Sequence, residues 1–462
     1  MAQLNTINSS YVSKLIQKGR IVAKANFVMT PELAAILGGV HGTYLNNNGI
    51  VVMGRDHRLD SRMLKRAYSS GAMGTGIDLL DLKSSPLPLL QFCIRRFGAS
   101  GGVYFSSGHS IQGETGIRIF DSGGVEFSSD QMESLITLFD EQPKRVDPTE
   151  VGRLSDIPHT VDIYSKAVPQ FINKKKLAEA GLKVVLDCSY GPAGIVTPPI
   201  LGNLDVDVIA LNTFAQSSMK RVVPSLDSIR NTSEIVRAAK ADLGVILDVD
   251  GTRSVIVDET GAAVRFEDLM MLYLLHDENL QKNKNNKVIT STSASKILDD
   301  FCESENFPLV RTENAPGNIS RKLKEERGCF GASDTMKFYF PQYGPFSDAT
   351  FSLLKLLEIL AVTEELLSVL LRNLPKTIHA QKTVSVEPEI AKNLHEIMKT
   401  KLVEKKKEFI DDLFGIKILY DSKSWIYIVP SLHRDALNII SEAADMKEGQ
   451  RLIEFAEKMI EM

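Results

Sequence analysis

Short apolar runs that end in polar loops alternate along the chain with longer stretches whose apolar positions recur at helical spacing. The stretch 30–44 reads as a helix, because Thr30 can cap it and Pro31 suits the first helical position. The run 49–56, GIVVMGRD, reads as a strand ending in a charged loop. At 101–124 the pattern is strand, polar loop, strand: Val103, Tyr104 and Phe105 are β-rich, 106–110 carries three hydroxyls, a glycine and an imidazole, and 117–120 is mostly apolar again. That loop is the first candidate for chemistry.

The stretch 143–158 is polar, punctuated by proline and poorly periodic, which marks a domain boundary. Beyond it, 183–188 (KVVLDC) is a buried-type strand, the turn 191–194 feeds a helix, and 206–211 is a further strand. Thr232 or Ser233 can cap a helix running to Ala239, ahead of strand 243–247. That strand runs directly into 248–253, DVDGTR, and loops at the carboxyl ends of strands in open α/β sheets are where ligands bind. A third domain begins near Asp258 with helix 267–275, polar loop 277–287, strand 288–291 and a long helix 347–371. Ser347 or Asp348 caps that helix, and Leu353, Leu354, Leu357 and Leu360 make a core stripe along it. Strand 381–386, helix 389–407 and strands 415–420 and 425–429 complete the chain. Alternation of this kind builds mostly parallel sheets with right-handed crossovers.

Composition narrows the partners. A net charge of −4 with 24% charged residues gives no electrostatic case for a nucleic acid or an anionic membrane. At 462 residues the chain is too long for one core. Cys93, Cys188, Cys302 and Cys329 lie far apart without a C-x-x-C pair, so neither a zinc cage nor a disulfide framework is expected, and a reducing cytoplasm fits. Residues 1–20 lack an apolar leader and no run of about 18 apolar residues occurs, so neither secretion nor a membrane span is expected.

The loops carry a resemblance. Taken without a gap, 101–124 resembles the active-serine segment of the α-D-phosphohexomutases, the phosphomannomutase/phosphoglucomutase superfamily, whose pattern is G-x-x-x-T-A-S-H-N-P followed by N-G-x-K. His109 falls on the family histidine, Arg118 on its lysine, and Gly108 on the serine that carries phosphate. The stretch 54–61 resembles G-R-D-x-R-x-S-S and 86–90 the P-T-P segment, although Arg55, Asp56 and Arg58 also read as a structural ion-pair cluster at a strand end. The loop 248–253 resembles the metal loop D-G-D-A-D-R: Asp248, Asp250 and Arg253 are kept, and Thr252 stands at the third carboxylate. The stretch 330–337 resembles the sugar-recognition loop F-G-G-E-x-S-G-H, with Ser333 at the glutamate, Thr335 at the serine and Lys337 at the histidine, so only hydroxyl chemistry is expected to survive there. Residues 374–376 resemble the linker to the last domain. The loop 429–435 resembles the phosphate cradle R-P-S-G-T-E-P, keeping Ser431 but with Val429 at the arginine, for which Arg434 is the candidate substitute. Of the N-terminal F-G-T-D-G-x-R-G segment, Gly19-Arg20 is the one echo.

The resemblance covers nearly the whole chain after about residue 20. It implies an α/β fold of three similar αβ domains with mixed sheets plus a C-terminal α+β domain around a central cleft, divided at 1–150, 151–257, 258–373 and 374–462. It implies a hexose phosphate or other anion as ligand, contacted by Arg253, Ser333, Thr335, Lys337, Ser431 and Arg434. It also implies Mg²⁺ at Asp248, Asp250 and Thr252, where a neutral hydroxyl is a weaker ligand than a carboxylate. In the implied mechanism a phosphoserine hands its phosphoryl group to a sugar phosphate and is rephosphorylated from the other end of the bisphosphate. Glycine has no oxygen to phosphorylate. Two readings stay open: a phosphosugar-binding or regulatory protein, whose partner is a hexose phosphate, another protein or a second copy of the chain, or an active mutase in which Ser107 or Ser110 is the nucleophile beside His109 and Arg118.

Overall fold

The helix Pro31–Tyr44 begins as its sequence requires: the Thr30 side chain accepts a hydrogen bond from the Leu33 amide at 3.3 Å, and Pro31 occupies the first turn. The structure is a computed structural model that describes residues 7–17, 19–106, 113–141, 143–214, 226–387, 389–390, 393–405, 407–411, 416–420, 424–430 and 436–461. Its described strands form four sheets.

Three of the sheets repeat one topology. In the first, Asp78–Ser84, Ile50–Arg55 and Gly101–Ser106 lie parallel, and the last of them turns back into the antiparallel strand Glu114–Asp121. In the second, Asp207–Leu211, Lys183–Asp187 and Leu243–Leu247 are parallel and Ser254–Asp258 returns antiparallel. In the third, Leu309–Thr312, Val288–Ser291 and Phe330–Ser333 are parallel and Lys337–Tyr339 returns. The connections that leave Ser106, Leu247 and Ser333 are therefore the same piece of the repeat three times over, and they are the loops in which the sequence concentrates its polar chemistry. The fourth sheet is wholly antiparallel, in the order Ile378–Ser385, Ala436–Ala443, Trp425–Pro430, Ile416–Leu419, Glu408–Asp411, and packs under the helix Met446–Glu461. Three αβ units with mixed sheets and an α+β unit around a central cleft is the expected architecture.

Several local expectations are corrected. The polar stretch 143–158 contributes the strand Leu154–Asp156 to the first sheet, parallel to Asp78–Ser84. Thr232 and Ser233 are not caps, because the helix spans Leu226–Ala239; Ser233 Oγ instead donates back to the Ile229 carbonyl at 2.8 Å. The polar loop 277–287 holds the short helix Glu278–Lys282, capped by Asp277. The long helix 347–371 is two helices, Ala349–Thr363 and Leu367–Arg372, separated at Glu364, whose φ of 56° is left-handed. The redirection buries Leu367, Leu370 and Leu371, which a straight helix would carry past the core. The described helix near 389–407 is Leu394–Glu404.

Neighbouring units clamp the loop 248–253 by its backbone. Its three successive carbonyls at Asp250, Gly251 and Thr252 accept from the Leu87 amide (2.9 Å), the Ala349 amide (3.1 Å) and Ser347 Oγ (2.7 Å). Gly251 is required there, with φ of 73° and space so tight that a Cβ would meet Pro86 at 3.1 Å. The fourth unit docks on the third: Glu442 accepts from Ser295 Oγ at 2.9 Å and the Lys296 amide at 3.2 Å, and Lys417 donates to the Thr292 carbonyl at 2.8 Å.

Asp348 holds the start of the clamping helix. It caps that helix by accepting from the Phe351 amide at 3.1 Å, and its other oxygen accepts from the buried hydroxyls of Tyr164 (2.5 Å) and Tyr343 (3.0 Å). Asp348→Ala removes a cap and leaves two buried hydroxyls without an acceptor, so it is expected to cost about 3 to 5 kcal/mol, read from the urea midpoint. Asp348→Asn keeps an acceptor at the cap and is expected to cost less than half as much; equal losses for the two variants would show that the carboxylate's shape is not what the cap and the tyrosines need.

Candidate functional site

Arg118 sits on the strand Glu114–Asp121 opposite Tyr104, and Ser106 pairs with Gly116 two residues along. Side chains alternate across a strand, so Tyr104, Ser106 and Arg118 share one face of the first sheet. On that face Arg118 Nη1 donates to Asp250 Oδ2 at 2.8 Å, while its Nε and Nη2 each donate to a Glu126 oxygen at 3.1 Å. Arg20 donates to the same two Glu126 oxygens at 2.6 and 3.0 Å. The side chains of Arg118, Asp250 and Glu126 are 3%, 0% and 7% exposed, so this is a buried charge network joining the first unit to the second. Burial alone pulls the guanidinium down, but Glu126 and Asp250 more than offset it and Arg118 stays charged. Burial likewise opposes the Glu126 charge, and Arg118 and Arg20 overcome it, holding that carboxyl well below the usual range.

Asp248 is saturated from its own loop. Its Oδ1 accepts from the amides of Thr252 (2.7 Å) and Arg253 (3.1 Å); its Oδ2 accepts from Thr252 Oγ1 at 2.9 Å and lies 3.2 Å from Arg253 Nε. Of the two carboxylates, Asp250 Oδ1 alone is buried without a hydrogen-bond partner. These residues do not fit a magnesium shell, which needs several oxygens free to turn their lone pairs on one ion. Among the described residues no group of three or more His, Cys, Asp or Glu side chains is arranged to hold a metal ion.

In the third unit Lys337 is half-buried and pairs with Ser333 across the turn. Burial, then the guanidiniums of Arg253, Arg20 and Arg118, hold its amine well below the lysine range, which sets Lys337 in the same cluster. Ser333 Oγ lies 3.0 Å from Thr335 Oγ1 and 3.3 Å from Asn314 Oδ1. The expectation that only hydroxyl chemistry survives in this loop is corrected by Asp334: one residue beyond the position of the family glutamate, its Oδ1 accepts from Ser291 Oγ and Asn314 Nδ2, each at 3.1 Å. The structure thus brings Arg118, Asp248, Asp250, Thr252, Arg253 and Lys337 together, with Ser333 and Thr335 on the adjoining turn. Ser107, His109 and Ser110, like Ser431 and Arg434, lie outside the described residues. Arg58 is the structural ion-pair partner its setting suggested: it pairs with Asp60, donates to the Glu114 carbonyl at 2.8 Å and to Thr115 Oγ1 at 2.9 Å, and so ties the strand after the first loop to the helix Leu59–Met73.

Sequence reasoning missed Glu126 and Asp334 and saw Arg20 only as an echo. Glu126 stands between buried Val125 and Phe127, where alternation argues for a solvent-facing side chain. Its two arginine partners come from elsewhere in the sheet, and nothing local announces them.

With this geometry in place, comparison with known proteins is direct. The chain matches the profiles of phosphoglucomutase/phosphomannomutase alpha/beta/alpha domain I over residues 16–145, domain II over 162–261 and domain III over 268–378. It belongs to the phosphoglucomutase/phosphomannomutase family, within the α-D-phosphohexomutase superfamily. It is 30% identical to a probable phosphoglucosamine mutase of Pyrococcus abyssi, over 94% of this chain and 95% of that one, and 28% identical to a phosphoglucomutase/phosphomannomutase of Thermococcus kodakarensis, over 95% and 96%. Its fold is similar to that of a family protein from Burkholderia thailandensis, with a TM-score of 0.83 at 18% identity over 98% of both chains.

Asp56 gives the site a pH dependence. It is fully buried, accepts from the Arg58 amide at 3.0 Å, and burial, with Asp250 nearby, pushes its carboxyl up to about 6. A raised carboxyl favours the folded state most when protonated, so this contribution is lost as pH rises from about 4 to about 6. Asp56→Asn stays neutral and is expected to raise stability at mildly alkaline pH by about 2 kcal/mol, with little effect in acid below the ordinary carboxylate range. Urea titrations at the two pH values check this, and a uniform destabilisation at both would mean that Asp56 is needed for its hydrogen bonds and not limited by its charge.

Proposed function

We propose that this chain binds a hexose phosphate in the family cleft as a binding or regulatory protein, with the standard phosphoserine chemistry lost or altered. The reading is carried by one combination: Gly108 stands where the resemblance requires the phosphorylated serine, while the cleft keeps its charge. Arg20, Arg118 and Arg253 balance Glu126, Asp248 and Asp250, and Lys337 is the group that takes up a positive charge when an anion arrives. The phosphoryl group sits against Arg20, Arg253 and Lys337, and the Asp334 carboxylate accepts from the sugar hydroxyls or an amino group. Relatives named phosphoglucosamine mutase make glucosamine phosphate a natural member of the ligand class. Their names also favour the competing reading, a mutase phosphorylated at Ser107 or Ser110. A cytoplasmic setting accords with four buried free cysteines and with no helix, among the described residues, long and apolar enough to cross a membrane.

Because burial and then the neighbouring guanidiniums hold the Lys337 amine low, an arriving phosphate dianion raises it and binding takes up a proton, so affinity falls as pH rises. Calorimetric titration should show glucose 6-phosphate and glucosamine 6-phosphate binding, and unphosphorylated glucose not binding. Asp334→Ala is expected to weaken both sugar phosphates about tenfold or more while leaving inorganic phosphate unchanged, since one charged hydrogen-bond acceptor to the sugar is lost. Intact-mass measurement should find no phosphorylated form. A stable phosphoryl adduct mapped to Ser107 or Ser110, together with interconversion of hexose 1- and 6-phosphates, would replace this reading with the mutase.

A further inference from the structure

We infer that the guanidinium of Arg118 takes the place of a divalent cation in this cleft, so that the loop 248–253 serves a metal-independent phosphosugar site; the inference rests on the hexose phosphate reading above. A bound Mg²⁺ needs near-octahedral oxygen ligands with lone pairs turned inward. Here three of the four oxygens on the two carboxylates are engaged, and Asp250 Oδ1, the one without a partner, does not make a shell by itself. Asp250 Oδ2 accepts from Arg118 at 2.8 Å, and both Asp248 oxygens accept from Thr252, one of them also from the Arg253 amide. The carbonyls of Asp250, Gly251 and Thr252 are held by Leu87, Ala349 and Ser347, so the backbone cannot turn oxygens toward an ion without releasing its neighbours. Thr252 donates its hydroxyl hydrogen to Asp248 at 2.9 Å and brings no negative charge to the loop.

Arg118 is also fixed where it lies. A planar guanidinium offers donors in a rigid fork, and Arg118 uses two of its nitrogens on Glu126 and the third on Asp250. Arg20 backs the same glutamate from the other side. A lysine ammonium at this position carries the charge as a point and does not supply that planar fork to both carboxylates. The positive charge that balances Asp250 is therefore part of the chain, and no exchangeable ion is required there.

The test separates the metal from the sugar. Titration of Mn²⁺, followed by its electron paramagnetic resonance signal, should show no site in the wild type and none in Thr252→Asp, because Arg118 still occupies Asp250. The double variant Arg118→Lys with Thr252→Asp should gain Mn²⁺ binding that Asp250→Asn removes. Affinity for glucose 6-phosphate should differ by less than about twofold between excess Mg²⁺ and chelator in the wild type, and in Arg118→Lys it should fall about tenfold in chelator and recover in part with Mg²⁺. Wild-type Mn²⁺ binding abolished by Asp250→Asn, or a tenfold loss of sugar phosphate affinity on chelation, overturns the inference. If Arg118→Lys does not fold, the wild-type and Thr252→Asp arms still decide. Failure of any sugar phosphate to bind sinks the hexose phosphate reading, while the Mn²⁺ arm, which uses no sugar, continues to judge the role of Arg118.

Discussion

The site depends on a guanidinium buried between two carboxylates. Taking such charges out of water costs several kcal/mol per ion, and only close, well-directed partners return it. Arg118 has them on three nitrogens, with Asp250 from the second unit and Glu126 from its own. Losing one partner would strand a charge in a place with 3% exposure or less, which typically costs about 3 to 5 kcal/mol. The first and second units are therefore positioned against each other by an electrostatic requirement in addition to apolar contact. Glu126 extends the joint to the third unit, since its carbonyl accepts from Arg321 at 2.8 Å.

The repeated topology explains why one ion network can reach three units. In each of the first three sheets the last parallel strand is followed by an antiparallel return strand, and in the second and third sheets the connecting turn lies beyond the carboxyl ends of the strands. The return strand of the first sheet reaches the second unit through Arg118, which donates to Asp250 in the middle turn. The clamp on the carbonyls of Asp250, Gly251 and Thr252 then fixes the middle turn from both sides, and a side chain at Gly251 would crowd Pro86.

Much of the fold was legible because burial and period agree. The strand Leu243–Leu247 is buried throughout, and an uninterrupted apolar run followed by polar turn residues has few other readings. The strand Val288–Ser291 was legible from its β-branched Val288, Ile289 and Thr290 after the polar loop. The break at Glu364 was not: residues 363–366 carry neither glycine nor proline, and the turn exists because Leu367, Leu370 and Leu371 must return to a core that is a tertiary fact. The candidate site divides in the same way. Asp248 and Asp250 announce themselves by spacing at a strand end, whereas Glu126 and Asp334 acquire meaning only from Arg118, Arg20 and Asn314, which the folded sheets set beside them.

Charge balance connects the departures from the family pattern. Without a carboxylate at Thr252, the described cluster holds Glu126, Asp248 and Asp250 against Arg20, Arg118 and Arg253, three of each sign. A divalent ion added to that set would leave it two charges in excess in a buried place, whereas a third carboxylate and a divalent ion together would leave one. Lys337 reports the same constraint from the other side: burial first, and then the three guanidiniums, push its amine toward the neutral form until an anion arrives. The threonine in the loop, the anchored arginine and the suppressed lysine are thus one electrostatic arrangement, and changing any one of them alone would unbalance the other two.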